Sequence, residues 1–189
     1  MGALGRPWFE RDAPVVAPEL LNKLLVAKVG GVVCSGRIVE TEAYTEDDPA
    51  SHTFTGRTDR NAVMFGSAGH LYVYLSYGIH HCLNVVTGRQ GDGQAVLLRA
   101  LRPVTGLETM RIRRNGRPDA ELANGPGKLA QALGVSLTQN GADLLGPTAS
   151  GVAIIDDGVA APLEPAIGPR IGISKATATP WRFRVPLTT

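Results

Sequence analysis

The chain has 189 residues, 43% of them hydrophobic, which suffices for one buried core, so a single domain over 1–189 with a short N-terminal tail (1–8) is expected. A formal net charge of +2 is too small to argue for a nucleic-acid partner by itself, and no apolar run is long enough to span a bilayer. Two cysteines, Cys34 and Cys82, exclude a disulfide framework or a CxxC metal site and fit a reducing cytoplasm. The opening MGALGRPWFERD lacks an apolar stretch behind a basic head, and Arg6 departs from the myristoylation pattern, so neither a secretory signal nor a lipid anchor is expected. Of 19 basic residues only Lys23, Lys28, Lys128 and Lys175 are lysines. Arginine's planar fork suits phosphates, although the same bias follows from a GC-rich genome.

In chain order, residues 18–28 (PELLNKLLVAK) place Leu20, Leu21, Leu24 and Leu25 behind Pro18, which predicts a helix with one buried face, ended by Gly30 and Gly31. Residues 32–44 (VVCSGRIVETEAY) are β-branched and alternating, which predicts one strand or two short ones across Gly36. The acidic stretch 46–49 and the polar segment 51–61 read as loop. Residues 71–77 (LYVYLSY) predict a strand, Gly78 a turn, and 79–87 (IHHCLNVVT) its antiparallel partner. After a turn at 88–93 (GRQGDG), residues 95–101 return as a strand, 102–117 form a helix and an exposed loop, and 128–133 form a short helix opened by Gly125, Pro126 and Gly127. Two more strands are expected near 152–155 and 181–185. Strands joined by hairpins with helices at the margins predict a mixed α+β fold on an antiparallel sheet.

All four tyrosines (Tyr44, Tyr72, Tyr74, Tyr77) and all four histidines (His52, His70, His80, His81) fall within 44–81, directly after Glu42. Flat amphipathic rings can sandwich a planar ligand, and a carboxylate beside them can move a proton or activate water. Glu40 and Glu42 share a side of their strand, followed on that side by Tyr44. Two solvated glutamates on an edge strand would read the same, but the adjoining rings make Glu42 the candidate general base. Tyr72 and Tyr74 share a face; Tyr77 lies on the other, before Gly78, either as a cross-strand packing partner or as a wedge for a stack of bases.

His52, in the loop after Glu42, is either a surface histidine or a reader of a ligand's edge. His80 and His81 are adjacent and face opposite ways, and no HExxH-like spacing occurs, so neither a catalytic metal nor another cofactor is expected. Segment 122–129 (LANGPGKL) fails the phosphate-loop pattern at Leu122 and Leu129, yet a helix N-terminus with Lys128 can hold one phosphate. Arg99, Arg102, Arg111, Arg113, Arg114 and Arg117 stand against Glu108 alone, a stretch that suits a phosphate backbone or a solvated face.

Taken together, RIVETEAY (37–44), HLYVYLSYGIHHCLNV (70–85), AVLLRALRP (95–103) and NGPGKLAQALG (124–134) resemble the alkyladenine type of 3-methyladenine DNA glycosylase. The resemblance covers nearly the whole chain, through RIGI (170–173) and WRF (181–183). It implies one compact domain with a curved antiparallel sheet, surrounding helices and a protruding hairpin. It also implies cofactor-free hydrolysis of the N-glycosidic bond of an alkylated or deaminated purine (3-methyladenine, 7-methylguanine, hypoxanthine or ethenoadenine) flipped out of duplex DNA. Glu42 would deprotonate and aim the water and Arg99 would help hold it; Tyr44, His52 and Tyr74 would form the base pocket, and Asn84 would crowd the exocyclic amine of guanine. Tyr77 would fill the gap in the helix, and Met64, Arg102, Gly127 and Lys128 would lie on the DNA backbone. The implied partner is damaged double-stranded DNA, with no membrane, met by a cytoplasmic or nucleoid-associated monomer.

Extruding a base costs a few kcal/mol of unstacking, reduced by damage, and base departure develops oxocarbenium character that an ionised carboxylate stabilises. No lysine lies between Lys28 and Lys128, so the site segment offers no amine for a Schiff base, and a monofunctional glycosylase without strand cleavage is expected. The acidic residues 46–48 sit awkwardly beside a DNA-facing site unless they point away, and His80 and His81 stand where aromatic residues would be expected. Two other functions use the same rings. A non-catalytic damaged-DNA binding protein would tolerate Glu42→Gln, and a small-molecule nucleoside hydrolase would need neither wedge nor arginine stretch.

Overall fold

The spine of the molecule is β2 (Val32–Tyr44), which runs unbroken through Gly36. The computed structural model describes residues 4–145 and 151–186. A Cβ at Gly36 would lie 2.9 Å from Leu101 Cβ and 3.2 Å from the Arg102 carbonyl oxygen, so glycine permits β2 to approach β5 (Gln94–Thr105) at a shift in their register. Gly36→Val is expected to destabilise the fold by about 1–3 kcal/mol, seen as a lower urea midpoint at constant m; an unchanged midpoint would mean that the strands part there without cost.

Along its other edge β2 pairs first with β1 (Leu24–Val29) and then, at Glu40–Thr41–Glu42, with β8 (Arg182–Arg184). The antiparallel sheet runs β3 (Leu71–Ser76), β4 (His80–Thr87), β5, β2, β1, β6 (Val152–Ile155), with β7 (Ala166–Gly168) joined to β8, and it curls into a half-barrel. Helices α1 (Arg6–Phe9), α2 (Ala13–Glu19), α3 (Leu107–Arg113) and α4 (Pro126–Leu133) surround it. Phe9, Leu25, Ile38, Leu71, Leu98 and Leu129 are fully buried in one cluster between sheet and helices. Each such side chain contributes about 1.5–3 kcal/mol by leaving water. In α4 the buried set Leu129, Ala130, Ala132 and Leu133 follows helical spacing; Pro126 begins the helix and Gly134, at φ +74°, ends it in the left-handed region. The mixed α+β fold therefore stands as expected, hairpin included.

The helix expected over 18–28 is not there. The helical turn lies earlier, in α2; Asn22 breaks the chain direction at φ +68°, and Leu24 onward is β1 with alternating burial. Leucine doublets fit helix or strand spacing alike, and the deciding signal was Gly30 and Gly31, both at positive φ, which close a two-residue hairpin from β1 into β2. Likewise β5 continues to Thr105, so the helix expected from 102 begins only at Leu107. The N-terminal segment is docked from Arg6, whose guanidinium bonds the Ala68 carbonyl at 2.5 Å and Asp143 at 2.7 Å. Among the described residues no helix is long and apolar enough to cross a membrane.

Candidate active site

The end of β2, the loop 45–61, the β3–β4 hairpin, β5 and the segment 171–175 enclose a cavity of about 620 Å³. Tyr44, His52, Tyr74, Asn84, Arg99 and Ile171 line it. Glu42 lies beneath, with no exposed surface. Its Oε2 accepts the Tyr44 hydroxyl at 2.8 Å; its Oε1 accepts the Ile171 N–H at 2.8 Å and lies 3.2 Å from Arg99 Nη1. Arg99 Nε also reaches Glu40 Oε1 at 3.2 Å, where Arg182 Nη1 meets it at 3.3 Å. Arg99 thus straddles both glutamates on one side of β2. Thr41 turns the other way, its hydroxyl donating to the Ala17 carbonyl at 2.8 Å in the core. Burying a carboxylate is costly unless it is paired and hydrogen-bonded, and Glu42 is both. Burial first, then the Glu42 charge, pushes the Tyr44 phenol far above its ordinary pKa, so Tyr44 remains a donor.

The opposite wall is aromatic. Tyr72 and Tyr74 stack with centroids 5.7 Å apart, and His52 meets Tyr74 edge-on at 4.5 Å. His52 Nδ1 lies 3.1 Å from the Tyr72 hydroxyl, and its carbonyl accepts Asn61 Nδ2 at 2.8 Å, which pins the loop. Packing of the imidazole against these rings, and secondarily Arg60, lowers the His52 pKa; the neutral ring presents one N–H and one lone pair. Burial raises the Tyr74 phenol, with Cys82 adding to the shift. Asn84 is buried in the floor, its Nδ2 donating to the Tyr72 carbonyl at 3.2 Å.

Tyr77 differs from its expected place on a strand face. It occupies the turn itself, at φ +50° before Gly78 at φ +71°, with the Ile79 N–H donating to the Ser76 carbonyl at 3.0 Å, a type I′ turn. The ring is 88% exposed at the cavity mouth. An L-residue with a side chain this large pays roughly 1–2 kcal/mol for the left-handed region.

The residues expected on a DNA backbone divide. Met64 is buried to 3% exposure with Tyr72, Val86 and Ala95, and its N–H donates to the Asn61 carbonyl at 2.9 Å, so it is a wall of the cavity and not an outer contact. Gly127 is where α4 touches the hairpin: a Cβ there would lie 2.8 Å from His80 Cβ. Lys128 Nζ donates to Asn124 Oδ1 at 2.8 Å, and Arg102 is exposed. Most arginines of the stretch are paired within the chain while remaining at least partly exposed. Arg111 pairs with Asp119 and Glu108, Arg113 holds the Ala132, Leu133 and Val29 carbonyls, Arg114 bonds Gln131, and Arg117 sits 3.9 Å from Glu121.

Several site residues were not foreseen. The segment 171–175 supplies Ile171 and Lys175 to the cavity wall, and Arg60 lies over the Tyr74 ring at 5.7 Å. No lysine lies between Lys28 and Lys128, but the fold brings Lys175 from beyond that interval to the cavity, so the site does hold an amine. One of the three carboxylates of the acidic loop is taken into the interior, while Glu46 and Asp47 stay exposed. Asp48 is turned inward onto Arg170, and exposed Asp47 accepts the Thr45 hydroxyl at 2.6 Å. Among the described residues no group of three or more His, Cys, Asp or Glu is arranged to hold a metal ion.

With this geometry in view, the sequence profile of the methylpurine-DNA glycosylase family matches residues 7–188. A protein of Burkholderia lata is 52% identical over 185 residues, covering 97% of this chain and 87% of its own length. Proteins of Rhodopseudomonas palustris (51% over 187 residues, 96% and 88%) and Carboxydothermus hydrogenoformans (45% over 184 residues, 95% and 93%) are similar throughout. Each of these relatives carries a name that assigns it, provisionally, to 3-methyladenine DNA glycosylase.

Proposed function

Because the chain belongs to the methylpurine-DNA glycosylase family, we propose that it is a monofunctional glycosylase of base excision repair. It takes alkylated or deaminated purines out of duplex DNA and hydrolyses their N-glycosidic bond. The observation that carries this reading is a fully buried, multiply bonded Glu42 directly beneath a cavity of about 620 Å³ walled by aromatic rings.

Among the described residues Oε2 of Glu42 receives a single hydrogen bond, from Tyr44, and so keeps a lone pair for a water. That water gives its proton to Glu42 as its oxygen bonds the sugar C1′ and the C1′–N bond breaks, its electron pair leaving with the base, which departs neutral when alkylation has made it a cation and otherwise takes a proton from solvent. The carboxylate and Arg99 are fixed before the reaction, so the charge developing on the sugar meets oriented groups. The flipped purine stacks on Tyr44 and Tyr74, neutral His52 reads its edge, and the buried amide of Asn84 limits the room for an exocyclic amine. Exposed Tyr77 at the cavity mouth occupies the vacated stack, which favours a duplex over a free nucleoside as substrate. Lys128 and Arg102 meet phosphates. The protein acts in the cytoplasm as a monomer whose partner is the damaged duplex.

The test is base release from duplexes carrying 3-methyladenine, 7-methylguanine, hypoxanthine or ethenoadenine, with borohydride added in a parallel reaction. Free base is expected from one or more of them with the strand intact and no trapped adduct. Release of none of the bases sinks the reading. A borohydride-trapped complex that disappears in Lys175→Ala would replace the water mechanism with imine chemistry at Lys175.

A further inference from the structure

Arg170 is absent from the cavity wall, yet it touches most of what holds Glu42 in place. Its side chain has no exposed surface. Nη1 donates to the Ala43 carbonyl at 2.9 Å and to Asp48 Oδ2, and Nη2 donates to Asp48 Oδ1 at 3.0 Å. The guanidinium lies 4.6 Å over the Tyr44 ring and 5.4 Å over that of Trp181. Tyr44 lines the cavity and Arg170 does not, so the cation backs the ring on its far side. The residue after Arg170 is Ile171, whose N–H is bonded to Glu42 Oε1, while the Tyr44 hydroxyl is bonded to Oε2.

We infer that Arg170, anchored by buried Asp48, is a positioning residue that sets both the Ile171 N–H and the Tyr44 hydroxyl on the carboxylate of Glu42. The inference rests on the glycosylase reading above. One fork spans three segments: the end of β2 at Ala43, the loop after it at Asp48, and the chain 122 residues further on that closes the cavity. Stability alone is a weak reason for such a pair, because desolvating two charges offsets much of their attraction and apolar residues of similar volume often serve as well. What the planar fork supplies that apolar packing does not is fixed geometry, and supporting residues of this kind typically change activity about 10- to 100-fold.

Two variants test this: Arg170→Lys, which keeps the charge and loses the fork, and the double change Arg170→Met with Asp48→Met, which removes both charges at similar volume. The readouts are the single-turnover rate constant for base release at saturating enzyme, which does not depend on the folded fraction, and the Kd for the lesion duplex. In both variants the rate constant is expected to fall about 10- to 100-fold while Kd changes less than about threefold. Wild-type rate constants in either variant, with only the melting temperature or the reaction amplitude reduced, would assign the pair a structural role and overturn the inference. If wild type itself releases no base, the glycosylase reading fails instead.

Discussion

Glu42→Gln is expected to slow base release by about 100- to 10,000-fold while lesion-bearing duplex still binds within a few-fold of wild type. Glutamine cannot take the proton of the attacking water, and it removes the negative charge that faces the developing cation. The fold tolerates the change. The amide oxygen can keep the Ile171 N–H and Arg99, and its NH2 can face the Tyr44 hydroxyl, which then accepts instead of donating. Arg99 retains Glu40 as a partner. Single-turnover kinetics with a gel-shift or anisotropy Kd separate the two effects, and release at the wild-type rate would remove Glu42 from the chemistry altogether.

Tyr77→Gly should move stability and activity in opposite directions. The tyrosine buries almost nothing in the free protein and pays for its left-handed backbone, so glycine is expected to raise stability by up to about 1 kcal/mol, its own larger entropy loss having been subtracted. Lesion binding, together with release at subsaturating enzyme, should fall about 5- to 150-fold, the equivalent of one lost ring–base stack. Thermal melts and excision assays on the same sample check both signs. A variant less stable than wild type would mean that the turn is not strained by its side chain, and unchanged lesion binding would mean that the ring does not enter the stack.

What was legible in the sequence was local. The alternation over 32–44 and the hairpin centred on Gly78 state their own geometry, and Glu42, Tyr44, His52 and Tyr74 lie close enough in sequence for two strands and the loop between them to bring them together. Residues 18–28 failed because leucine spacing alone does not separate helix from strand, and the Gly30–Gly31 turn that decides it was read only as a stop. The pairing within the arginine stretch was not legible for a different reason. Charge counts carry no information about partners, and Asp119, Glu121, Gln131 and the carbonyls at the end of α4 take up most of it. Arg170, Ile171 and Lys175 were invisible as site residues, since only the closure of the distal chain over the end of β2 brings them to Glu42 and the cavity.

The place of β2 also decides how the molecule breathes. Its amides are bonded into β5 on one edge and into β1 and β8 on the other, so exposing the backbone along β2 requires paired strands to come away from it. The tip at Tyr77 belongs to a two-stranded ribbon at the sheet's edge, and it can open at far smaller free energy. Proton exchange at Glu42's strand should therefore report global unfolding and exchange at the tip local fraying. Mutations in the core then change how many molecules carry an assembled carboxylate, while changes at the tip alter how often an intact molecule probes a duplex.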